Sequence, residues 1–502
     1  MLKQSLNSGG FFAANLLFRL LLALALGKAF TPEEYGIYVL ITTVVAMTTL
    51  LLPLDASQYY MREVPGRPAG DGAAIFKSVV GSQTMILTLL AMGAALIPGI
   101  QQLAVEKMGV SRESWIFGLI VCVILAESLA NDLVRYLYAR REIERGNEVT
   151  FLQGSLWGLL VFATYLISPQ RITLSFVVAL WLASLCLAIG YGLWRSKPRE
   201  LWRATFKPAL YGAALRFGAP LLTARLGLAM DWVARFYLVW LYSEAAVGAY
   251  TYTYGLIVMI ASVTAPIHGA VEPHAVALFN QGEQSRSGEL LSASLRYRML
   301  MVMPLLLVAV TASHELISLL ARPEYAVADA LMALLAPVPV LVMLSTTLER
   351  VLNLERRVTA IARGYVLSAV IQLLLYALLV PLHPYYGTAL ARTIGAAALV
   401  AIFLYDTRLA PLRIQIPYGR LILAALPSLF VAGVISTADF LPTLWRLALA
   451  TIACCSALVI TARMCGLVSD AEAQTLRDAV RQAAGRIFTM LPAARSSKAT
   501  HP

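Results

Sequence analysis

Apolar runs of twenty or more residues follow one another along almost the whole chain, divided by short polar or Pro/Gly junctions, and this alternation restricts the fold more than any other feature. About 20 helical residues cross a hydrocarbon layer roughly 30 Å thick. Lipid offers no partner to backbone N–H and C=O groups, so each run has to satisfy them internally as a helix. Spans are placed at residues 8–29, 37–61, 75–98, 115–138, 148–168, 172–194, 212–241, 246–272, 295–319, 326–349, 359–380, 385–405, 419–437 and 442–463, fourteen in all. Composition agrees: 59% of residues are hydrophobic and 14% charged, against roughly 45–50% and about 25% in a soluble domain.

Charge placement orients the spans. With the N-terminus inside, 28 of the 40 Lys and Arg residues fall on inner segments, whereas outer loops hold Lys28, Lys107, Arg112, Arg171 and Arg322. Short cytoplasmic loops carry such an excess, and a miscounted span would invert every later loop, so both termini are expected in the cytoplasm. The net charge of +12 then follows from topology and attraction to anionic inner-leaflet lipid, without nucleic acid as a partner. The first run continues past Ala25 with Arg19 in its middle, which reads as a retained span rather than a cleaved signal. The five cysteines lie within or at the ends of apolar runs with no ligand spacing, so packing roles and no metal site are expected. Residues 467–502 carry an amphipathic pattern expected to lie on the cytoplasmic membrane surface.

One junction occurs twice. "FTPEEYGIY" at 30–38 contains Thr31, Gly36 and Tyr38, and "YSEAAVGAY" at 242–250 contains Ser243, Gly248 and Tyr250 at the same spacing, 212 positions on. Each follows the first helix of a set of six. Pro53 lies 17 residues after Gly36 and Pro266 lies 18 after Gly248, so the second helix of each set is expected to bend at matching depth. An even number of spans separates the copies, so the halves enter the membrane in the same direction. Parallel repeats of this kind place a binding site between the halves near the midplane.

Two six-helix bundles plus two trailing helices, with Thr/Ser-x4-Gly-x-Tyr after the first helix of each bundle, resemble the MATE-like multidrug/oligosaccharidyl-lipid/polysaccharide (MOP) exporter superfamily. "LGKAFTPEEYGIYVL" at 26–40 is the most similar stretch. Within the superfamily the chain is most similar to the Wzx-type flippases. The resemblance implies an all-α polytopic membrane protein of about 14 helices, divided as 1–205 (first bundle), 206–415 (second bundle), 416–466 (two additional helices) and 467–502 (tail). It further implies a monomer in the bacterial inner membrane, a lipid-linked oligosaccharide substrate, and pathway partners such as a polysaccharide polymerase or glycosyltransferases.

Ionisable residues inside spans are costly and mark pathways. Arg19 lies mid-span in the first helix; Arg225, Asp231 and Arg235 lie in the seventh, and an offset of 212 from Arg19 lands on Asp231. Asp231 and Arg235, one turn apart, either neutralise each other or face a cavity. Arg392 in the twelfth span either lines the cavity or joins an interhelical pair. A polyprenyl diphosphate bearing sugars would use such arginines, since guanidinium grips phosphate in bidentate fashion; Arg19, Arg225, Arg235 and Arg392 are the candidate substrate-binding set. Asp55, Glu127, Asp132 and Asp231 are candidates for H+ or Na+ coupling. No phosphate-binding loop for ATP is present. Tyr59, Tyr60, Tyr250, Tyr252 and Tyr254 read as a membrane-boundary belt in preference to sugar-stacking groups. A cation antiporter of the same superfamily is the alternative, with a carboxylate-dominated cavity as its mark. A membrane polymerase or ligase is a second alternative; it would need catalytic groups on a long outer loop, and residues 99–114 offer only Glu106, Lys107, Arg112 and Glu113. Enzymatic activity is therefore not expected.

Overall fold

The computed structural model describes residues 2–51, 54, 56–65, 67–96, 114–196, 198–219, 226–326, 329–408, 412, 414–436 and 442–467. Among them twelve helices are long and apolar enough to cross a membrane. The first half contains α1 (Leu2–Ala29), α2 (Pro32–Leu51), α3 (Ser57–Glu63), α4 (Ala69–Leu96), α5 (Ser114–Ala139), α6 (Ile143–Ile167), α7 (Leu174–Arg195) and α8 (Pro198–Arg203). The second half contains α9 (Ala209–Gly218), α10 (Leu226–Leu241), α11 (Glu244–Ser262), α12 (Ala265–Asn280), α13 (Gln284–Thr311), α14 (Ser313–Leu320), α15 (Asp329–Leu335), α16 (Pro337–Leu354), α17 (Val358–Leu379) and α18 (Pro384–Thr407). Two further helices follow, α19 (Tyr418–Ser436) and α20 (Thr443–Met464). The predicted first and seventh spans correspond to α1 and to the pair α9–α10; Pro220 and Arg225 of the latter lie outside the described residues, as do Pro53, Asp55 and the loop 99–113.

The repeated junction has a local cause in helix capping. The Thr31 hydroxyl accepts from the Glu34 amide (3.2 Å) while the Glu34 carboxylate accepts from the Thr31 amide (2.9 Å), a reciprocal box that satisfies two otherwise orphaned donors. Ser243 does the same for α11 by accepting from the Ala246 amide at 3.3 Å. After 20 residues α2 stops, and after 19 residues α11 stops. Pro266 lies in the first turn of α12, where its missing N–H costs nothing; it therefore starts a new helix rather than bending one, and its counterpart Pro53 falls outside the described residues.

A second pair of equivalent junctions is present. Arg141 after α5 and Arg356 after α16 both adopt left-handed backbone angles, φ 63° and 57°. In each case the next residue donates back five positions, Glu142 to Leu137 (2.9 Å) and Arg357 to Leu352 (2.8 Å). These are matching Schellman ends, occupied by arginine where glycine is usual, at about 1 kcal/mol.

The halves meet chiefly where α2 packs along α11, with α1 adding contacts to α11, α12 and α14. α19 and α20 pack on each other and on α13. Their outer faces expose Phe430 (73%) and Met464 (81%), an arrangement that only lipid makes inexpensive.

Candidate functional site: an inter-half cavity closed at one end

One end of the seam is sealed by backbone contact. A Cβ built on Gly36 would overlap the Glu244 carbonyl oxygen, and one built on Gly248 would overlap that of Pro32. Only glycine at both positions lets the two helices approach so closely. Around this crossing the rings of Tyr35, Tyr252 and Tyr325 pack edge-on or tilted at 4.8–5.9 Å. The last carbonyls of α1 find partners in the other half: the Arg322 amide donates to Gly27 (3.0 Å), its Nε to Lys28 (3.0 Å) and its Nη2 to Ala29 (2.5 Å). Tyr325 donates to Thr31 (3.1 Å), and Lys28 Nζ donates to the Ser318 and Ala321 carbonyls, both at 2.7 Å. Helix C-termini leave carbonyls unsatisfied and carry partial negative charge, so cations there stabilise twice over.

Away from this seal a cavity of about 330 Å³ opens between α2, α4, α5, α7 and α10. Glu127, Asn131 and Arg135 line it from one face of α5, four residues apart. The Glu127 carboxylate accepts from Gln153 (2.8 Å), Trp181 (3.3 Å) and Asn131 (3.3 Å). Gln153 reaches it because Leu152–Leu156 is a π-helical turn inside α6, a local widening that re-aims side chains and recurs at functional sites. Asp132, 3% exposed, accepts from the Tyr60 hydroxyl and from Gln83, each at 2.8 Å. Arg135 donates to Ser57.

Arg19 lies on α1 and is exposed, and Arg235 lies on α10. Arg235 crosses the seam to donate to Thr43 Oγ1 at 2.7 Å. Neither joins an ion pair among the described residues. Arg392 does: its Nε is 2.7 Å from Asp231 Oδ1, and Tyr254 bridges the two, its hydroxyl 3.3 Å from Arg392 and 3.2 Å from Asp231. Asp231 therefore pairs with Arg392 across α10 and α18, not with Arg235 one turn along its own helix, and Arg392 takes the interhelical pairing that the sequence left open against cavity lining. Arg225 and Asp55 lie outside the described residues.

The tyrosine belt is a correction. Tyr60, Tyr250, Tyr252 and Tyr254 are 0–8% exposed; buried hydroxyls need partners, and Asp132 provides one for Tyr60, Asp231 for Tyr254, and the Ala23 and Leu320 carbonyls for Tyr252. Reading of the sequence also passed over Gln83, Arg135, Gln153 and Trp181. The spacing of Glu127, Asn131 and Arg135 was a visible signal for Arg135; Gln153 had none, because a π-turn leaves no mark in composition.

This geometry, two helical halves meeting at a glycine seam beside a polar cavity that the first half lines together with Trp232, is a fold shared with solved structures of low sequence identity. Solved structures with this fold include "Lipid II flippase MurJ, inward closed conformation", at 13% identity and a TM-score of 0.71, covering 92% of this chain and 99% of that one. They also include an inward-facing MATE multidrug resistance transporter (14% identity, TM-score 0.58, covering 80% and 97%) and a MOP transporter from Pyrococcus furiosus (14%, 0.55, 81% and 94%). No protein-family model matches the sequence, and no curated protein matches it significantly.

Proposed function

We propose that the protein is an alternating-access flippase that carries a polyprenyl-diphosphate-linked oligosaccharide across the bacterial inner membrane, for O-antigen, capsule or exopolysaccharide assembly. The observation that carries this reading is the pair Arg19 and Arg235, intramembrane guanidinium groups that join no ion pair among the described residues, with Arg235 reaching across the seam to Thr43. Uncompensated guanidinium groups inside a membrane protein call for an anionic guest, and a diphosphate satisfies their fork geometry. Arg225 completes the set. Arg392 acts at one remove, holding Asp231. The lipid tail stays in the bilayer while the polar head passes between the halves. Resemblance to a structure named as a lipid II flippase agrees with a lipid-linked substrate.

Glu127 and Asp132 supply the coupling in this reading, with Asp55 and Asp231 as further carboxylates. A proton suits Glu127 better than Na+: its neighbours are donors, and the Gln153 and Asn131 amides can turn to present oxygen once the carboxyl is protonated. Those same carboxylates favour the second reading, a cation antiporter. The test is an inward-to-outward assay in vesicles using lipid-linked oligosaccharide and, separately, an organic cation. Loss of lipid translocation in Arg19→Ala and Arg235→Ala, with normal membrane insertion, supports the flippase; cation efflux that ignores both substitutions but fails in Glu127→Gln overturns it.

A further inference from the structure

A cavity of about 1070 Å³ lies away from the seam, between the first turns of α13, the connector 414–417, the start of α19 and the end of α20. α13 runs 28 residues from Gln284 to Thr311, and α14, which follows it, meets the end of α1 at the seal. The cavity is therefore at the opposite end of the bundle. Among the described residues, Arg296 and Arg420 line it from two different helices, with Gln284, Ser292 and Gln415 as neutral polar groups and Glu289 as a carboxylate. Glu289 accepts from Ser285 at 3.1 Å, and the Gln415 amide donates to Ser292 at 3.0 Å, which ties the connector to α13.

We propose that this cavity binds the headgroup of an anionic phospholipid from the leaflet at that end. Arg296 and Arg420 bring two guanidinium groups to one cavity, and guanidinium is the preferred partner of a phosphodiester. Basic pockets between transmembrane helices recognise anionic headgroups in this way. The surroundings favour a lipid over a free anion: Arg420 stands at the head of an apolar helix whose Ile422, Leu423 and Leu426 are 54–60% exposed, so acyl chains continue along α19 from the headgroup. The bound lipid would join α19 and α20 to α13, and none of its cavity's residues belongs to the inter-half cavity.

The purified full chain is mixed with phosphatidylglycerol micelles, with phosphatidylcholine micelles, or with inorganic phosphate, and bound lipid is read by native mass spectrometry alongside the thermal midpoint. Phosphatidylglycerol alone is expected to be retained and to raise the midpoint. Arg296→Ala/Arg420→Ala should weaken retention about twenty-fivefold, each basic residue near an anionic surface contributing roughly fivefold; Arg199→Ala/Arg203→Ala, which removes as much exposed charge beneath the first half, should not. Equal retention of phosphatidylcholine, equal loss in both double variants, or equal stabilisation by inorganic phosphate would each overturn the proposal. If the cavity double variant fails to fold, the exposed Arg420→Gln change alone should cost about fivefold, and no change would count against the site. Transport is not the readout, so failure here and failure of the flippase reading are separable.

Discussion

Gly36 on α2 and Gly248 on α11 lie against one another across the seam: the Gly248 amide nitrogen is 3.2 Å from where a Gly36 Cβ would stand, and the Gly36 nitrogen 3.0 Å from where a Gly248 Cβ would stand. Two positions related by the internal repeat thus become a mutual contact. The physical meaning is that this end closes by backbone on backbone, a contact that an added side chain at either place would prevent.

Gly248→Val should accordingly hold the seal open. Overpacking of a tight contact costs about 1–3 kcal/mol, so the closed population should fall roughly tenfold. A single thiol introduced as Tyr35→Cys in a cysteine-free background reports this by its labelling rate with a water-soluble maleimide, which should rise by about that factor while helix content stays unchanged.

Arg322→Ala should act at the same end by another route. Two carbonyls at the end of α1, those of Lys28 and Ala29, lose their side-chain donors while the backbone amide keeps its bond to Gly27, and hydrogen bonds involving a charged group contribute about 1.5–3 kcal/mol where burial is substantial. Faster thiol labelling is expected here too, with Arg322→Lys intermediate because a lysine keeps the charge and loses the fork. Labelling no faster than in the parent would show that the glycine crossing closes the end unaided.

Asp231→Asn leaves Arg392 buried without its counter-charge, and breaking a buried pair costs about 3–5 kcal/mol. The thermal midpoint in detergent should fall substantially. Adding Arg392→Gln should recover much of the loss, and a double-mutant cycle measures the coupling. Full recovery of transport in that double variant would assign the pair to structure alone; recovery of stability without transport would leave Asp231 a part in coupling.

Gln153→Leu keeps the π-turn but removes one donor from Glu127. An under-satisfied carboxylate in this setting costs about 1–3 kcal/mol, so a moderate loss of stability is expected, together with a changed pH profile of transport. An unchanged profile would argue that Glu127 does not exchange protons.

The helical elements and their order were legible because lipid leaves the backbone no alternative to helix; the fourteen predicted spans fall on α1–α20 with breaks near Leu51, Gly218, Ser262, Thr311 and Leu335 and the short α8 added, and among the described residues twelve helices are long and apolar enough to cross a membrane. The arginines of the candidate site were legible for the same reason, as Arg19 and Arg235 are conspicuous within apolar runs. Their pairings were not. Asp231 could reach Arg235 on its own helix, and helical spacing alone favoured that; the nearness of α18 gave it Arg392 and Tyr254 instead. Lys28 and Arg322 looked like stray positive charge on outer loops, and only the meeting of α1 with α14 and the turn after it makes them caps.

By itself, then, the sequence determined which segments are helices and where they start, because hydropathy and capping are local properties of a chain. Tertiary structure alone decided which charges are spent on each other, that the repeated glycines touch, and that the tyrosines turn inward. Those outcomes depend on which helix faces lie within a few ångströms, and no local pattern specifies distance between segments two hundred residues apart.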